Sequence, residues 1–247
     1  KYMKIDFNNK TVLITGASRG IGKEIAKGFF RLGANIISTS TKPIKIRIPE
    51  NKRNKWKHIV VDFADEIALR DFFQKLINIK RIDILINNAG INEINTFTEV
   101  KKNDFVKINK VNLVTPFLIS QKIVQKMKLN KSGKIINISS IFGVISKKKR
   151  ASYSASKAGL IGLTKAMALD LASYNILVNS ISPGFVSTEL TKRILNEKEQ
   201  NKLRNDVPLS RFAESSEIVN LVLFLSSKYN TYLTGQNIII DGGFTIQ

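Results

Sequence analysis

The stretch Thr11-Val12-Leu13-Ile14-Thr15-Gly16-Ala17-Ser18-Arg19-Gly20-Ile21-Gly22 decides the fold of this 247-residue chain. Thr11–Thr15 is a short, β-branched apolar run ended by Gly16, the pattern of a strand buried on both faces. Ile21, Ile25, Phe29 and Leu32 then recur at helical spacing, and Gly33 stands where a helix cap is expected. Between the two, glycines spaced G-x-x-x-G-x-G permit a tight turn through which the backbone can approach a pyrophosphate. The helix start would meet that anion with unpaired N–H groups and the positive end of its dipole. A turn that only packs helix against strand would look the same in isolation. The strand before it and the helix after it supply the context that a phosphate site requires.

Outward from this turn, strand and helix alternate. Apolar runs predict strands at 35–40, 57–61, 82–86, 134–138, 177–181 and 236–240. Helical spacing predicts helices over 67–79, 103–127, 153–172 and 217–225. The implied architecture is α/β: a single doubly wound Rossmann-type domain of about seven parallel strands with helices on both faces. The domain is expected to run over 3–247, with Lys1 and Tyr2, which precede Met3, read as a remnant ahead of it. Lys42–Lys57 holds Pro43 and Pro49, and Ile44, Ile46 and Ile48 alternate with Lys45 and Arg47, so an extended or irregular connection is expected there. Residues Thr188 to Pro208, a largely polar segment, are expected to form a mobile helical lid.

Composition narrows the function. No Cys is present, which excludes disulfides, thiolate metal sites and a cysteine nucleophile, and a single His58 argues against histidine triads. His58 begins a strand and is read as structural. No apolar run approaches the length of a membrane span, so a cytoplasmic protein without a membrane partner is expected. Forty basic residues against nineteen acidic give +21, a field that attracts anions. The lysines are spread along the chain, so general composition explains most of that charge, and no nucleic-acid partner is expected. Two clusters stand out: seven basic side chains against one acid over 42–57, and the run Lys147-Lys148-Lys149-Arg150.

The end of the second strand bears on the choice of dinucleotide. An NAD site usually places a carboxylate there for the ribose 2′-hydroxyl, and an NADP site a cation for the 2′-phosphate. Ser38-Thr39-Ser40-Thr41-Lys42 contains no acid, and Arg19 lies within the glycine turn, so NADP(H) is expected in preference to NAD(H). Further on, Tyr153 and Lys157 stand four apart on one helical face. A phenol titrates near pH 10, and a neighbouring ammonium would bring it toward working range. Ser140, thirteen residues upstream, sits at the mouth of a strand, where ligands bind in this architecture. Ser139 competes with it; the interval to Tyr153 favours Ser140.

With these residues in view, the chain resembles the short-chain dehydrogenase/reductase family over essentially its whole length. The matching elements are Thr15–Gly22, Asn87-Asn88-Ala89-Gly90, Asn112, Ser140, Tyr153 with Lys157, Pro183-Gly184 with Thr188, and Asp241-Gly242-Gly243. The resemblance implies that Tyr153 exchanges a proton with the carbonyl oxygen and that Ser140 positions that oxygen. It implies that Lys157 tunes Tyr153 and holds the nicotinamide ribose, and that Asn112 binds a water relaying protons to Lys157. Gly16, Ser18, Arg19, Gly20, Ile21 and Gly22 would bind the phosphates, with Thr41 beside the 2′-position. Asp62, Phe63 and Asn88 would line the adenine side, with Ala89 and Gly90 following. Pro183, Gly184, Val186 and Thr188 would meet the nicotinamide end. No metal is implied.

Within the family the chain is most similar to 3-oxoacyl-(acyl-carrier-protein) reductases, through its ASRGIG turn, its PGFV segment and its short DGG ending. The carbonyl substrate is then expected to be a small molecule or thioester, anionic or linked to a carrier protein. Where that subgroup has a small Gly-rich loop before Tyr153, this chain has Val144–Arg150, four of them cationic. Lys122, Lys126, Lys128 and Lys131 would extend a docking face for an acidic carrier. A sugar, a nucleotide-linked sugar or another anionic small molecule is the alternative substrate. A non-catalytic nucleic-acid-binding or cofactor-sensing protein is a remote one. By analogy the helices around 103–127 and 154–172 would pair between subunits, giving a homotetramer or homodimer.

Overall fold

Seven strands, β1 (Thr11–Ile14), β2 (Asn35–Ser40), β3 (Trp56–Val60), β4 (Ile84–Asn87), β5 (Gly133–Ile138), β6 (Ile176–Pro183) and β9 (Asn237–Ile240), form one sheet. The structure, a computed structural model, describes residues 4–45, 53–188, 191 and 196–247. All pairings are parallel, in the order β3-β2-β1-β4-β5-β6-β9. The order reverses between β1 and β4, which opens a crevice at the carboxyl ends of those strands.

Strand side chains alternate between two cores. Val12, Ile14, Ile84, Ile86, Ile136 and Ile138 face a core closed by α1 (Gly20–Arg31) and α7 (Ser215–Ser226). Leu13, Leu85 and Ile135 face the opposite core, under α2 (Glu66–Ile77), α4 (Thr115–Leu129) and α5 (Ala151–Leu171). Burial on both faces is why these strands read as unbroken apolar runs rather than alternating ones. The doubly wound α/β fold expected from the sequence is the fold observed.

The two ends of α1 follow from its sequence. Gly33 takes φ +93°, the left-handed position that closes the helix. At the other end Arg19 is extended and gives no side-chain cap, and the first turn holds no acid. The start of α2 is different: the carboxylate of Asp65 accepts from the N–H groups of Ile67 and Ala68. The amide donors of α1 thus lack the local acceptor that those of α2 have.

The long helical region expected over 103–127 is helical throughout, with one local change of pitch. α3 (Lys102–Asn109) is separated from α4 by a π-turn at Lys110–Val114, in which the N–H of Thr115 donates to the carbonyl of Lys110. Pro116 is the physical cause: it has no N–H for the Asn112 carbonyl four residues back, and its ring crowds that carbonyl. A small pair of strands, β7 (Val186–Ser187) with β8 (Ala213–Glu214), was not expected; α6 (Glu197–Asn205), which opens on a capping box of Asn196 and Glu199, is a helix within the expected helical segment. α6 occupies the second half of the expected lid. Residues 189–190 and 192–195 of that lid, 46–52 of the expected irregular connection, and Lys1 and Tyr2 lie outside the described residues.

Candidate active site

The glycine turn is built by close approach of backbone to backbone. Gly16 (φ +69°) and Gly20 (φ +55°) are left-handed, and a Cβ on Gly16 would stand 2.8 Å from the Cα of Ala89. Thr15 clamps the two segments: its hydroxyl oxygen accepts from the N–H groups of Asn88 and Ala89, both at 3.0 Å. The side-chain amide of Asn88 donates to the carbonyls of Thr15 and Gly16, both at 2.9 Å. Asn88, expected on the adenine side, therefore has its nitrogen engaged in shaping the turn. The same amide lies where a Cβ on Gly22 would fall, so no side chain fits at that position.

The other expected cofactor residues surround the same crevice. Arg19 is exposed and its side chain makes no hydrogen bond or ion pair among the described residues; Ser18 is half-buried beside it and Thr41 exposed. Asp62 caps its own turn by accepting from the N–H of Ala64. Phe63 points inward against Phe72, with ring centroids 5.5 Å apart, so only its main chain is left to face a ligand. Ile21 likewise packs on the core. Gly90 lies against both Asn112 and Lys157, and Gly184 against the backbone of Asp241. Pro183 ends β6, Val186 is buried in β7, and Thr188 shares a hydrogen bond with Thr191.

His58 has a defined part in this region. Trp56 Nε1 donates to Ser38 Oγ, which meets His58 Nδ1 at 2.8 Å. On the other side His58 Nε2 meets Ser40 Oγ at 2.9 Å, and Ser40 donates its proton to the carbonyl of Lys42. Since the Ser40 proton is engaged, the His58 Nε2–H must be the donor and Nδ1 the acceptor. Burial holds the ring below its ordinary pKa, in keeping with that neutral tautomer. The chain of bonds braces the end of β2 that leads to Thr41 and Lys42.

Ser140, Tyr153, Lys157 and Asn112 converge where β5 ends and α5 begins. Ser139 and Ser140 point apart: the Ser139 hydroxyl donates to the carbonyl of Lys157, whereas that of Ser140 hydrogen-bonds the Tyr153 hydroxyl. Ser140 Oγ also accepts from the N–H of Phe142 at 3.2 Å. Lys157 is buried, donates to the carbonyl of Ile138 at 2.8 Å, and lies 5.7 Å from the centroid of the Tyr153 ring. Asn112 is fully buried in the π-turn. Its side chain accepts from the N–H of Ile91 at 2.8 Å and donates to the carbonyl of Ile91 at 2.9 Å and to Ser156 at 3.0 Å.

Electrostatics sharpen the picture. Burial pushes the Tyr153 phenol up, against the Ser140 hydrogen bond and the charge of Arg150, which pull it down. Burial also pushes Lys157 down, to about 8. A proton donor held protonated at neutral pH beside an ammonium that titrates near it is an arrangement suited to general acid–base work on an oxygen. Three features escaped the sequence reading. Arg150 leaves the basic run to face this site. Phe142, Phe185, Phe212 and Phe244, from four separate segments, meet ring on ring at 5.1–6.4 Å. Asn88 turns out to be a brace for the turn. None has a local sequence signal, because each depends on contacts between distant segments.

Among the described residues no helix is long and apolar enough to cross a membrane, and no cluster of side chains could hold a metal ion. The family model described as Enoyl-(Acyl carrier protein) reductase matches residues 16–245. The 3-oxoacyl-(acyl-carrier-protein) reductase FabG of Aquifex aeolicus (strain VF5) is 37% identical over 98% of this chain and 99% of its own. Among solved structures, a 4-hydroxyisoleucine dehydrogenase complexed with NADH superposes with a TM-score of 0.90 at 35% identity, over 97% of this chain and 100% of that one. A gluconate 5-dehydrogenase from Burkholderia cenocepacia J2315, in complex with NADP and tartrate, gives 0.87 at 29% identity, over 98% and 97%.

Proposed function

The chain belongs to the short-chain dehydrogenase/reductase family, and from that premise we propose that it is an NADPH-dependent reductase of 3-oxoacyl thioesters carried on acyl carrier protein. It is an oxidoreductase of a family that binds a nicotinamide cofactor. The observation that carries the reading is the meeting of Ser140, Tyr153 and Lys157 at the mouth of β5. The near full-length relationship to a 3-oxoacyl-(acyl-carrier-protein) reductase supports the substrate.

The residues present fit a dinucleotide. Gly16 and Gly20 hold left-handed conformations in a cradle that a Cβ at Gly16 would fill, and the start of α1 lacks a side-chain cap. Gly16, Ser18, Gly20, Ile21 and Gly22 would receive the pyrophosphate, and Arg19 with Lys42 the 2′-phosphate, where no carboxylate opposes it. Asp62, the main chain of Phe63, Asn88, Ala89 and Gly90 would border the adenosine half, and Thr41 the 2′-position. Pro183, Gly184, Val186 and Thr188 would border the nicotinamide half. The bound dinucleotide supplies the hydride.

The chain's own residues handle the oxygen. Ser140, polarised by the N–H of Phe142, donates a hydrogen bond to the ketone oxygen and orients it. Tyr153 gives its hydroxyl proton to that oxygen as it becomes a secondary alcohol, and the resulting phenolate is stabilised by Ser140, Arg150 and Lys157. Lys157 holds the ribose hydroxyls and returns a proton to Tyr153. The Asn112 carbonyl, deprived of its α-helical donor by Pro116, accepts from a water that links Lys157 to solvent. The exposed apolar side chains Phe105, Phe117 and Leu169 on α3, α4 and α5 support pairing of these helices in a cytoplasmic homotetramer or homodimer.

The test follows NADPH oxidation with an acetoacetyl thioester on acyl carrier protein, beside oxo-sugars and oxo-acids, with NADPH and NADH in parallel. Reduction of the thioester with NADPH, lost in Tyr153→Phe, is the expected result. An Arg19→Ala variant is expected to lose about tenfold in preference for NADPH over NADH, one lost charge-assisted contact. Turnover confined to oxo-sugars or oxo-acids would overturn the substrate.

A further inference from the structure

The basic run before α5 divides in two. Lys147, Lys148 and Lys149 are exposed to solvent, whereas Arg150 is partly buried. Lys149 adopts φ +68°, a left-handed conformation uncommon for a side chain of its size, and the chain turns there. The Arg150 guanidinium lies over the ring of Phe142, 5.7 Å from its centroid, and close enough to Tyr153 for its charge to act on the phenol. No carboxylate pairs with it among the described residues. Its Nη1 is buried and has no hydrogen-bond partner there either.

A guanidinium presents five N–H donors and no acceptor, and a buried donor without a partner is costly to maintain. The side chain is nonetheless held inward by stacking on Phe142, which meets Phe185 edge to face, as Phe185 in turn meets Phe244. An unsatisfied cation therefore stands between the proton donor Tyr153 and an apolar aromatic wall. A ligand that fits all three carries a reducible carbonyl, a second oxygen acceptor close to it, and a hydrocarbon portion.

We propose that Arg150 holds the second oxygen of the substrate, which in a 3-oxoacyl thioester is the thioester carbonyl, and so decides which of two carbonyls lies at Tyr153. This rests on the reading of the enzyme as a 3-oxoacyl reductase and goes further, by assigning a specificity contact. The 3-oxo group takes the proton of Tyr153. The thioester oxygen accepts from Arg150 Nη1, and the acyl chain runs along Phe142 and Phe185. Register is set by the cation because the two carbonyls are otherwise alike in shape. The three lysines before it remain outside the pocket and are not needed for this contact.

The test compares wild type, Arg150→Met and Arg150→Lys on three probes with NADPH. These are the acetoacetyl thioester of N-acetylcysteamine, the monoketone in which a methylene replaces the thioester carbonyl, and a short oxo-acid. NADPH binding by fluorescence monitors the integrity of each variant. Arg150→Met is expected to lose on the order of 10- to 100-fold in kcat/KM on the thioester, a desolvated charge-assisted hydrogen bond. The loss on the monoketone, which reads only the effect of the Arg150 charge on the Tyr153 phenolate, should be at least about threefold smaller, with NADPH affinity unchanged, and Arg150→Lys is expected to recover part of the loss on the thioester. Equal losses on thioester and monoketone, or no loss on either, would overturn the proposal while leaving the 3-oxoacyl reading intact. A wild type that reduces only the oxo-acid would overturn that reading. The Arg150 contact would then stand if Arg150→Met selectively loses the oxo-acid. A wild type that reduces none of the three would overturn both.

Discussion

The hydroxyl of Ser140 is hydrogen-bonded to the hydroxyl of Tyr153, joining the end of β5 to the first turn of α5. The bond opposes what burial does to the phenol: burial favours the neutral form, and the serine favours the charged one. In the proposed reaction, proton transfer at this oxygen depends on the balance.

Ser140→Ala removes the bond and is expected to lower kcat by about 100-fold, the scale of one lost donor at a reacting oxygen. It also moves the Tyr153 pKa further up. Reduction needs the protonated phenol, so the alkaline limb of its pH profile should shift to higher pH, with NADPH affinity unchanged. A limb that moves to lower pH would contradict the arrangement.

Asn112→Leu leaves the N–H and the carbonyl of the part-buried Ile91 without their side-chain partners, beside a fully buried position 112. Two orphaned backbone groups cost about 2–5 kcal/mol. In a chain of this length that corresponds to a fall of about 5–15 °C in Tm. Calorimetry on the variant checks it, and a Tm within a degree or two of wild type would show that Asn112 does not brace the Ile91 segment.

Gly16→Ala must place a Cβ 2.8 Å from the Cα of Ala89 while keeping a left-handed backbone. Neither the main chain of Ala89 nor φ +69° yields cheaply, so a loss of at least about 1–2 kcal/mol in stability is expected. NADPH affinity should fall at least tenfold, because the turn and the segment following β4 move apart. Equilibrium unfolding and fluorescence titration measure the two effects, and wild-type values for both would refute the close approach.

Lys157 contributes a pH-dependent penalty. Burial holds its folded pKa at about 8, below the ordinary lysine value of about 10.4. Between these two values the folded state binds fewer protons than the unfolded chain, so stability rises with pH across that window. Below about pH 8 the cost of the buried charge is fully present. Lys157→Met is therefore expected to be more stable than wild type at pH 7, by about 2 kcal/mol, and to show a flatter rise from pH 8 to 10. Lys134, also pushed to about 8 by burial, is common to both proteins and cancels in the comparison. Urea denaturation at several pH values reads the effect; a Lys157→Met protein less stable at pH 7 would reverse the sign.

Much of this was legible in the chain before folding. All seven long strands were, because a parallel strand covered on both sides is short and rich in apolar or small buried residues. The bounds expected for Asn35–Ser40 are those observed, although four of its six residues are polar. The glycine turn was legible because a left-handed backbone favours glycine at Gly16 and Gly20, and the close approach to Ala89 excludes a Cβ at Gly16. The interruption at Lys110–Val114 was missed although Pro116 signals it. A proline in the first turn of a helix reads as a helix start, and here the preceding helix runs into it without a break. β7 and β8 were missed because two-residue strands carry no apolar periodicity, and the bounds of α6 within the expected helical segment were not legible because a polar helix carries little.

The sequence by itself determined the alternating architecture, the glycine turn and the Tyr153–Lys157 spacing, since each is a local pattern set by backbone sterics and side-chain period. Only the tertiary structure decided that the Ser139 hydroxyl is spent on the carbonyl of Lys157, and that Arg150 turns inward while Lys147, Lys148 and Lys149 stay in solvent. It also decided that four phenylalanines from distant segments form one wall beside them. The reason is physical: neighbouring residues of the same chemistry differ only in direction. Direction is imposed by the φ and ψ that long-range packing selects, of which the order of residues along the chain holds no local record.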